Sequence, residues 1–355
     1  MEMTNLDDLT ALRELDPAGM LGHVAALPQQ CQDAWALTRE LELPEDYLQV
    51  DKVLIAGMGG SAIGGDLVVA VVADRSPLPI WVHRTYDLPA FADRGTLVIA
   101  SSYSGDTEET VSAFRAAHER GCPLLAVATG GKLARLAVDW KVPLVSFGYR
   151  SMPRAALGYL FVSLLGVLRP LGVTGDLEPD LEEALQVLAE QGAELAPTVP
   201  QARNRAKQLA VELAGRMPVV IGAGPLATVI VRWKAQFNEN GKSWAHVEPL
   251  PEMNHNAVSG THFPAEMAGR VLVLFLEGTG LHPRLELRLE LTRQVFEGMG
   301  ITCRQVPIRG QSTLAQILSA IQLGDTISCY LAALYRTDPT AIADIVQLKE
   351  RMSKP

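Results

Sequence analysis

Short apolar runs alternate with helical segments along most of this chain, and this alternation constrains the fold more than any other feature. The runs are rich in Val, Ile, Leu and Ala, as buried strands are. Helical patterns separate them at about residues 67–73, 108–120 and 132–138. Strands alternating with helices predict an α/β fold with a parallel sheet covered on both faces. The predicted strands span residues 53–56, 79–83, 97–100, 124–128 and 142–146.

The same alternation begins again in the second half of the chain. Strands are predicted at residues 218–221, 271–276 and 302–306, with helices at 226–237, 283–299 and 314–335. Residues 4–41 are predicted to be helical, with a break near residue 16 and an interruption at Pro28. Residues 151–215 contain helical patterns at 154–168, 179–192 and 201–214. We therefore predict two doubly wound parallel sheets: a helical arm (1–41), a first sheet domain (42–150), a helical bridge (151–215) and a second sheet domain with a C-terminal helical segment (216–355).

The length of 355 residues also favours two domains. A net charge of −9 without a Lys or Arg cluster argues against a nucleic-acid partner. An anionic ligand must therefore be bound by local N–H groups and a few cations. The four scattered cysteines form no C-x-x-C motif, which is typical of a reducing compartment. Residues 1–5 resemble no signal peptide, and the apolar stretches are interrupted before about 18 residues, so we expect a cytoplasmic protein without a membrane partner.

Residues 101–107, with the sequence Ser-Ser-Tyr-Ser-Gly-Asp-Thr, lie where the third strand meets a helix. Such a turn offers free N–H groups, the positive end of a helix dipole and several hydroxyl donors. It matches neither the nucleotide-binding P-loop nor the G-x-G-x-x-G fingerprint. An ordinary cap by Ser104 or Asp106 is the alternative, but a cap needs one hydroxyl. The turn therefore predicts a site for a phosphate monoester.

A glycine-rich stretch at residues 57–66 follows the first strand and contains Ser61. Glycine allows positive φ angles and a close approach of the backbone to a ligand. One or two glycines would fit a tight connection, whereas five favour a ligand. Since ligands of doubly wound sheets bind at the carboxyl ends of the strands, both turns are predicted to face one crevice.

A second concentration of polar residues covers positions 236–242 and 252–256. Three interpretations compete. His246, Glu252, His255 and His262 could hold a metal, although their spacing fits no simple zinc pattern. The polarity could be that of an ordinary surface loop. Glu239 and His255 could form an acid/base pair, because both groups can exchange protons near neutral pH.

Two cations complete the set of candidates. Arg154 begins an otherwise apolar helix, where it could form a salt bridge or stabilise an anionic intermediate. Lys349 lies in the C-terminal segment, where composition alone predicts a solvent-exposed lysine.

At these positions the sequence resembles the bifunctional phosphoglucose/phosphomannose isomerases, which contain two sugar isomerase (SIS) domains. The resemblance runs from Asp-Pro-Ala-Gly-Met at 16–20 to the C-terminal lysine and covers nearly the whole chain. Residues 101–107 resemble the family's S-x-S-G-x-T loop, and residues 57–61 resemble its G-M-G-G-S turn. The other matches are Arg154 in P-R-A-A-L-G-Y, Glu239 in F-N-E-N, His255 in P-E-x-N-H-N, and Lys349 after the final D-P-T segment.

The resemblance implies two doubly wound, flavodoxin-like SIS domains and a metal-independent aldose–ketose isomerase without a cofactor. Its substrates would be glucose 6-phosphate and mannose 6-phosphate, converted to fructose 6-phosphate. It further implies that Glu239 moves a proton between C2 and C1 through a cis-enediol(ate), and that Arg154 offsets the negative charge. His255 and Lys349 would serve ring opening. The residues implied to bind the phosphate are Gly60, Ser61, Ser102, Ser104 and Thr107.

The resemblance also implies a homodimer with shared active sites, in which His255 comes from the neighbouring subunit. Two other functions remain open from the sequence: an isomerase of another sugar phosphate, and a non-catalytic sugar-phosphate-binding regulator. A regulator needs the phosphate turn but no proton-transfer carboxylate, so Glu239, Arg154 and His255 favour an enzyme. A zinc-dependent mannose-phosphate isomerase would lose activity with EDTA, whereas a metal-independent enzyme would keep it.

Overall fold

The computed structural model describes residues 4–352, which form two compact units. The first unit comprises residues 26–185, and the second comprises the described residues on either side of that range. Three helices occupy the N-terminal region: α1 (Leu9–Leu15) and α2 (Met20–Ala25) belong to the second unit, and α3 (Leu27–Thr38) belongs to the first. Pro28 does not interrupt a helix, because it occupies the first turn of α3, where its missing N–H would have no intrahelical partner.

The first unit is built on a five-stranded parallel sheet with the strand order β2-β1-β3-β4-β5. Its strands are β1 (Lys52–Ala56), β2 (Ile80–His83), β3 (Thr96–Ser102), β4 (Leu124–Ala128) and β5 (Leu144–Ser146). Its helices after α3 are α4 (Gly59–Val72), α5 (Glu108–Glu119), α6 (Gly131–Asp139) and α7 (Leu157–Leu168), and α8 (Glu178–Leu195) contains the boundary between the units. The flavodoxin-like order and the predicted strands of this half are confirmed.

Helix α4 begins at Gly59 and not at residue 67, so the prediction of an open glycine turn through residue 66 is wrong. Gly64 and Gly65 lie inside the helix, where they permit close packing. A Cβ atom at Gly64 would lie 3.4 Å from the carbonyl oxygen of Leu160, and one at Gly65 would lie 3.1 Å from Ile55. These two glycines therefore serve the contacts of α4 with α7 and with the sheet.

The second unit contains a four-stranded parallel sheet with the order β7-β6-β8-β9. Its strands are β6 (Met217–Ala223), β7 (His246–Leu250), β8 (Val271–Glu277) and β9 (Cys303–Pro307). Its helices, besides α1 and α2, are α9 (Arg205–Leu213), α10 (Leu226–Glu239), α11 (Pro283–Gly298), α12 (Thr313–Leu334) and α13 (Ala343–Met352). Strand β7 was not predicted, because this edge strand has the sequence His-Val-Glu-Pro-Leu and is only partly buried.

Two apolar helical segments, Pro153–Leu171 and Thr313–Leu334, are long enough to cross a membrane by length and composition alone. Of their most apolar windows, 78% and 100% are buried inside the protein. Core helices pass the same test, so this is weak evidence for a span. The apolar run of α12 is interrupted in sequence by Asp325, and this carboxylate pairs with Arg232 inside the fold (2.7 Å).

Candidate active site

The candidate phosphate site lies at the carboxyl edge of the first sheet. Strands β1 and β3 are neighbours there, and each continues through a short turn into a helix. The helix after β1 packs on one face of the sheet through Gly65 and Ile55. The helix after β3 packs on the other face, where Phe114 joins Val98 and Leu54 in the core. The strand order reverses between β1 and β3, and this switch point is where doubly wound sheets bind ligands.

Neither helix that begins at this edge is capped by a side chain. The N-cap residues are Met58 for α4 and Thr107 for α5, and neither side chain accepts a hydrogen bond from its helix. The first N–H groups of a helix have no intrahelical partner and carry a partial positive charge. Two such helix ends side by side provide N–H donors for an anion.

The hydroxyls of the serine turn organise the turn itself. The Oγ atom of Ser102 lies 2.9 Å from Oγ1 of Thr107 and accepts a hydrogen bond from the N–H of Gly105 (3.1 Å). The Asp106 N–H donates to Oγ of Ser104 (3.2 Å), and Asp106 in turn accepts from the N–H of Lys132 (3.0 Å). Ser102 is buried, whereas the Ser104 side chain is exposed. Neither Ser104 nor Asp106 therefore caps helix α5, so the alternative of an ordinary helix cap is wrong.

Gly105 is required by the shape of this turn. Its φ angle is +70°, a left-handed conformation that side chains disfavour. A Cβ atom there would lie 1.8 Å from the carbonyl oxygen of Gly130, far inside contact distance. The glycine thus allows the serine turn to pack directly on the loop after β4.

Arg154 adjoins the first turn of α4. It lies in a 3-10 turn, Pro153–Ala156, that leads into α7, and it is 4% exposed. A Cβ atom at Gly60 would lie 3.6 Å from the carbonyl oxygen of Pro153 and 3.7 Å from Cα of Arg154. Ser61, at 5% exposed, follows directly in α4. The structure therefore brings the arginine backbone against the glycine turn that the sequence assigned to the phosphate.

Glu239, Lys349 and His255 belong to the second unit. Glu239 is the last residue of α10 and is half-buried. The Lys242 ammonium donates to the carbonyl oxygens of Glu239 (2.5 Å) and Pro339 (3.4 Å), so it links this helix end to the D-P-T segment. That segment precedes α13, which carries Lys349 as an exposed side chain.

His255 ends a 3-10 turn that follows β7, and its imidazole is exposed. The asparagines on either side hold this turn. Asn254 donates to Thr292 (2.8 Å) and accepts from Arg288 (3.0 Å), and Asn256 donates to Glu252 (3.2 Å). The asparagines beside His255 thus form hydrogen bonds within the protein, whereas the His255 ring is exposed at the surface.

Glu239 and His255 of one chain lie on opposite faces of the second sheet. Ile221 of β6 packs in the cluster that contains Met253 and the α11 residue Phe296. Side chains alternate along a strand, so the next residue, Gly222, faces the other way. A Cβ atom there would lie 2.6 Å from the carbonyl oxygen of Leu226 in α10. Helix α10 is therefore on the face opposite α11 and the turn that ends at His255.

The two residues also lie at different ends of the strands. Helix α10 starts at the carboxyl end of β6 and runs back for 14 residues, about 21 Å. Glu239 is therefore at the amino ends of the strands, whereas the turn containing His255 follows the carboxyl end of β7. The acid/base pair suggested by the sequence is not formed within one chain.

The four residues considered for a metal do not form a cluster. His246 pairs instead with Glu248 (2.8 Å). Within residues 4–352, no group of three or more His, Cys, Asp or Glu side chains is placed to hold a metal ion. Two residues that hold the backbone around Arg154, Tyr103 and Gln30, were not predicted from the sequence. Tyr103 lies among the serines of the phosphate turn, and Gln30 is distant in sequence from every motif.

Comparisons with known proteins agree with this description. The family model of the bacterial phospho-glucose isomerase C-terminal SIS domain matches residues 202–352. The bifunctional phosphoglucose/phosphomannose isomerase of Caldicellulosiruptor bescii is 38% identical over 336 residues, covering 94% of this chain and 99% of the relative. The protein of the same name from Aquifex aeolicus is 34% identical, with 88% and 94% covered. The structure of a glucose-6-phosphate isomerase like protein from Thermus thermophilus superposes with a TM-score of 0.61 at 19% identity, covering 98% and 99% of the two chains, and supports the fold alone.

Proposed function

This chain belongs to the bifunctional phosphoglucose/phosphomannose isomerase family, and from that premise we propose that it interconverts glucose 6-phosphate and mannose 6-phosphate with fructose 6-phosphate. It is an enzyme that isomerises sugar phosphates. One observation of the first unit supports the substrate most directly. Two helices without side-chain caps begin at the switch point of the sheet, and the buried Arg154 adjoins the first turn of one of them, α4.

The substrate phosphate binds to the turns at the start of α4 and α5 in this proposal. The N–H of Gly60 and the hydroxyls of Ser61, Ser104 and Thr107 donate to its oxygens, while the buried Ser102 holds the turn in shape. Binding energy from this non-reacting group positions C1 and C2 of the sugar.

Ring opening comes first. His255 and Lys349 remove the proton from O1 and deliver one to O5 as the C1–O5 bond breaks, which yields the open aldehyde. The carboxylate of Glu239 then takes the proton from C2, and the electron pair of that bond forms a cis-enediolate. Glu239 returns the proton to C1, and the proton of the O2 hydroxyl moves to O1, so that O2 becomes the ketone oxygen and O1 a hydroxyl. The planar enediolate can be protonated on either face of C2, so one site serves both epimers.

Arg154 stabilises the negative charge of the enediolate. A guanidinium that is 4% exposed acts in a low dielectric, where its attraction for an anion is strong. Loss of one such group typically lowers kcat about 10²–10³-fold. The 3-10 turn that carries Arg154 is held by backbone contacts to α4, which limits reorganisation during the reaction.

We further propose a homodimer with shared active sites. The separation of Glu239 and His255 on opposite faces of one sheet supports this proposal, because a second copy is then needed to bring an imidazole to the carboxylate. Metal independence is also proposed, and so is a cytoplasmic location without nucleic-acid or membrane partners. The four cysteines are all buried and form no disulfide, which suits a reducing compartment.

A coupled assay for fructose 6-phosphate, with EDTA present, tests the proposal. Glucose 6-phosphate and mannose 6-phosphate should each give product at full rate after chelation. Glu239→Gln removes the base but keeps the shape, so it should lower kcat at least about 10³-fold while binding of the sugar phosphates changes little.

Glu119→Gln is the matched control, because Glu119 also ends a helix, α5, and is exposed. It should leave both activities unchanged. Wild-type turnover in Glu239→Gln would show that the base is wrongly assigned. Binding of both sugar phosphates without any turnover of the wild type would favour the non-catalytic regulator.

A further inference from the structure

The serine turn contains an aromatic residue, Tyr103, whose hydroxyl bonds to backbone groups outside the turn. The phenol of Tyr103 lies 2.7 Å from the carbonyl oxygen of Tyr149 and 2.9 Å from that of Ser151, and shares its proton between them. The same oxygen accepts a hydrogen bond from the N–H of Ser151 (2.8 Å). One side chain of the serine turn therefore binds three backbone groups some 46 to 48 residues further along the chain.

Those three groups belong to the connection between the sheet and Arg154. Strand β5 ends at Ser146, and residues 147–152 form neither helix nor strand before the 3-10 turn begins at Pro153. Backbone groups in such a segment need partners, because an unpaired buried group costs as much as a lost hydrogen bond. The Tyr103 phenol supplies hydrogen-bond partners to this segment, as a neighbouring strand would in a sheet.

Tyr103 is itself fixed at its backbone. Its carbonyl oxygen accepts hydrogen bonds from the N–H and the hydroxyl of Thr129, at 3.0 and 2.6 Å, in the loop after β4. Its ring lies 6.3 Å from that of the buried Phe147, at the start of the irregular segment. The serine turn cannot shift without moving the phenol relative to Tyr149 and Ser151.

The far side of Arg154 is held by Gln30. The Gln30 carboxamide donates to the carbonyl oxygen of Ala155 (2.8 Å) and accepts from the N–H of Gly158 (3.1 Å). Both contacts are buried. Arg154 therefore lies between two anchors, and only the Tyr103 anchor comes from the turn assigned to the phosphate.

We propose that Tyr103 is a positioning residue that couples the phosphate turn to Arg154. Phosphate bound to the hydroxyls of Ser104 and Thr107 orders residues 101–107, and the phenol transmits that order to the backbone that places the guanidinium. This inference rests on the proposed function. It assigns to Tyr103 a share of transition-state stabilisation without contact with the substrate.

Tyr103→Phe tests the coupling, because it removes one oxygen and keeps the ring against Phe147. We expect kcat for glucose 6-phosphate to fall about tenfold or more, since small misplacements of a charged group are costly in rate, while KM and the affinity for inorganic phosphate change by less than about twofold. Arabinonate 5-phosphate has a planar carboxylate that resembles the enediolate. In Tyr103→Phe, the affinity of the enzyme for arabinonate 5-phosphate should fall by a similar factor. The affinity for sorbitol 6-phosphate, which has the phosphate but no carboxylate, should change much less.

Arg154→Lys provides the decisive background. If Tyr103 acts through Arg154, adding Tyr103→Phe to Arg154→Lys should lower kcat by less than about twofold, because coupled residues are not additive. Tyr159→Phe is the matched control. It removes a phenol that donates to Asp33 (2.6 Å) but keeps the ring against Phe147 and Tyr149, and it leaves the hydrogen bonds of Tyr103 to residues 149 and 151 in place.

Three results would overturn the inference: wild-type kcat in folded Tyr103→Phe, an equal loss of kcat in both backgrounds, or a loss confined to KM and phosphate affinity. If Tyr103→Phe does not fold by circular dichroism, Thr129→Val takes its place, because it loosens Tyr103 from the other side and should show the same pattern more weakly. A wild-type protein without isomerase activity would refute the proposed function instead. In that case the role of Tyr103 would be tested by binding alone, from the change that Tyr103→Phe causes in the ratio of affinities for arabinonate 5-phosphate and sorbitol 6-phosphate.

Discussion

Gly105→Ala is expected to damage both the stability of the protein and its binding of substrate. An alanine at φ +70° costs about 1–2 kcal/mol in backbone strain. Its Cβ atom would also lie 1.8 Å from the carbonyl oxygen of Gly130, so the two loops must move apart by about 1.6 Å to reach an ordinary contact of 3.4 Å. Overpacking of this kind costs about 1–3 kcal/mol. The expected total is about 2–5 kcal/mol of unfolding free energy.

Gly172→Ala separates the two contributions. Gly172 belongs to the same unit and has nearly the same φ angle, +69°, but no atom lies within 4 Å of a Cβ built there. Its substitution should therefore cost only the backbone strain, about 1–2 kcal/mol. Urea unfolding of the two variants, followed by circular dichroism, measures the difference that the Gly130 contact causes.

The displacement should also be visible in the kinetics. Moving the serine turn by more than about 1 Å shifts the Ser104 hydroxyl and the start of α5, so KM for glucose 6-phosphate should rise about tenfold or more in Gly105→Ala. KM should stay at the wild-type value in Gly172→Ala. Equal stability of the two variants, together with an unchanged KM in Gly105→Ala, would refute the role assigned to this packing contact.

Two further expectations concern the phosphate turn and the N-terminal arm. Ser104→Ala combined with Thr107→Val should raise KM for both substrates about tenfold or more with a smaller effect on kcat; unchanged saturation in the coupled assay would contradict the phosphate assignment. The Lys207 ammonium (2.9 Å) and then the N–H of Gln201 hold the pKa of Asp7 below its usual value. This carboxylate therefore stabilises the fold above its unfolded pKa of about 4, and that contribution is lost as the pH falls through the lower, folded pKa. The midpoint temperature of thermal unfolding should fall more steeply between pH 6 and 3 in the wild type than in Asp7→Asn. Parallel curves of midpoint against pH would contradict the ion pair.

Much of the fold follows from local patterns. The residues of β3 and β8 are almost all buried, and such strands appear in sequence as uninterrupted apolar runs. Helix α10 carries a clear apolar stripe between a glycine turn and a polar loop, and its start at Leu226 was predicted correctly. The parallel direction of the strands then follows from the helices between them, because each helix returns the chain to the end of the sheet where the previous strand began.

The failures have a common physical cause. Strand β7 pairs with a single neighbour at the sheet edge, so its polar residues and its proline are tolerated and leave no apolar run. The first turns of α4 contain glycines that local propensity counts against a helix, yet Gly64 is needed where the helix meets the backbone of Leu160. In both cases a distant part of the chain decides the local structure.

The sequence by itself determined the class of fold and the chemistry available to the site. Residue type and motif predicted Ser104, Thr107, Arg154 and Glu239 as site residues, because hydroxyls, a cation and a carboxylate have the same properties wherever they lie. Only the tertiary structure decided how these groups are arranged. It placed Arg154 against Gly60, joined the backbone of the preceding residues Tyr149 and Ser151 to Tyr103, and put Glu239 and His255 on opposite faces of one sheet. Contacts between residues far apart in the chain leave no periodic signal, because they depend on how complete elements pack and not on neighbours in sequence.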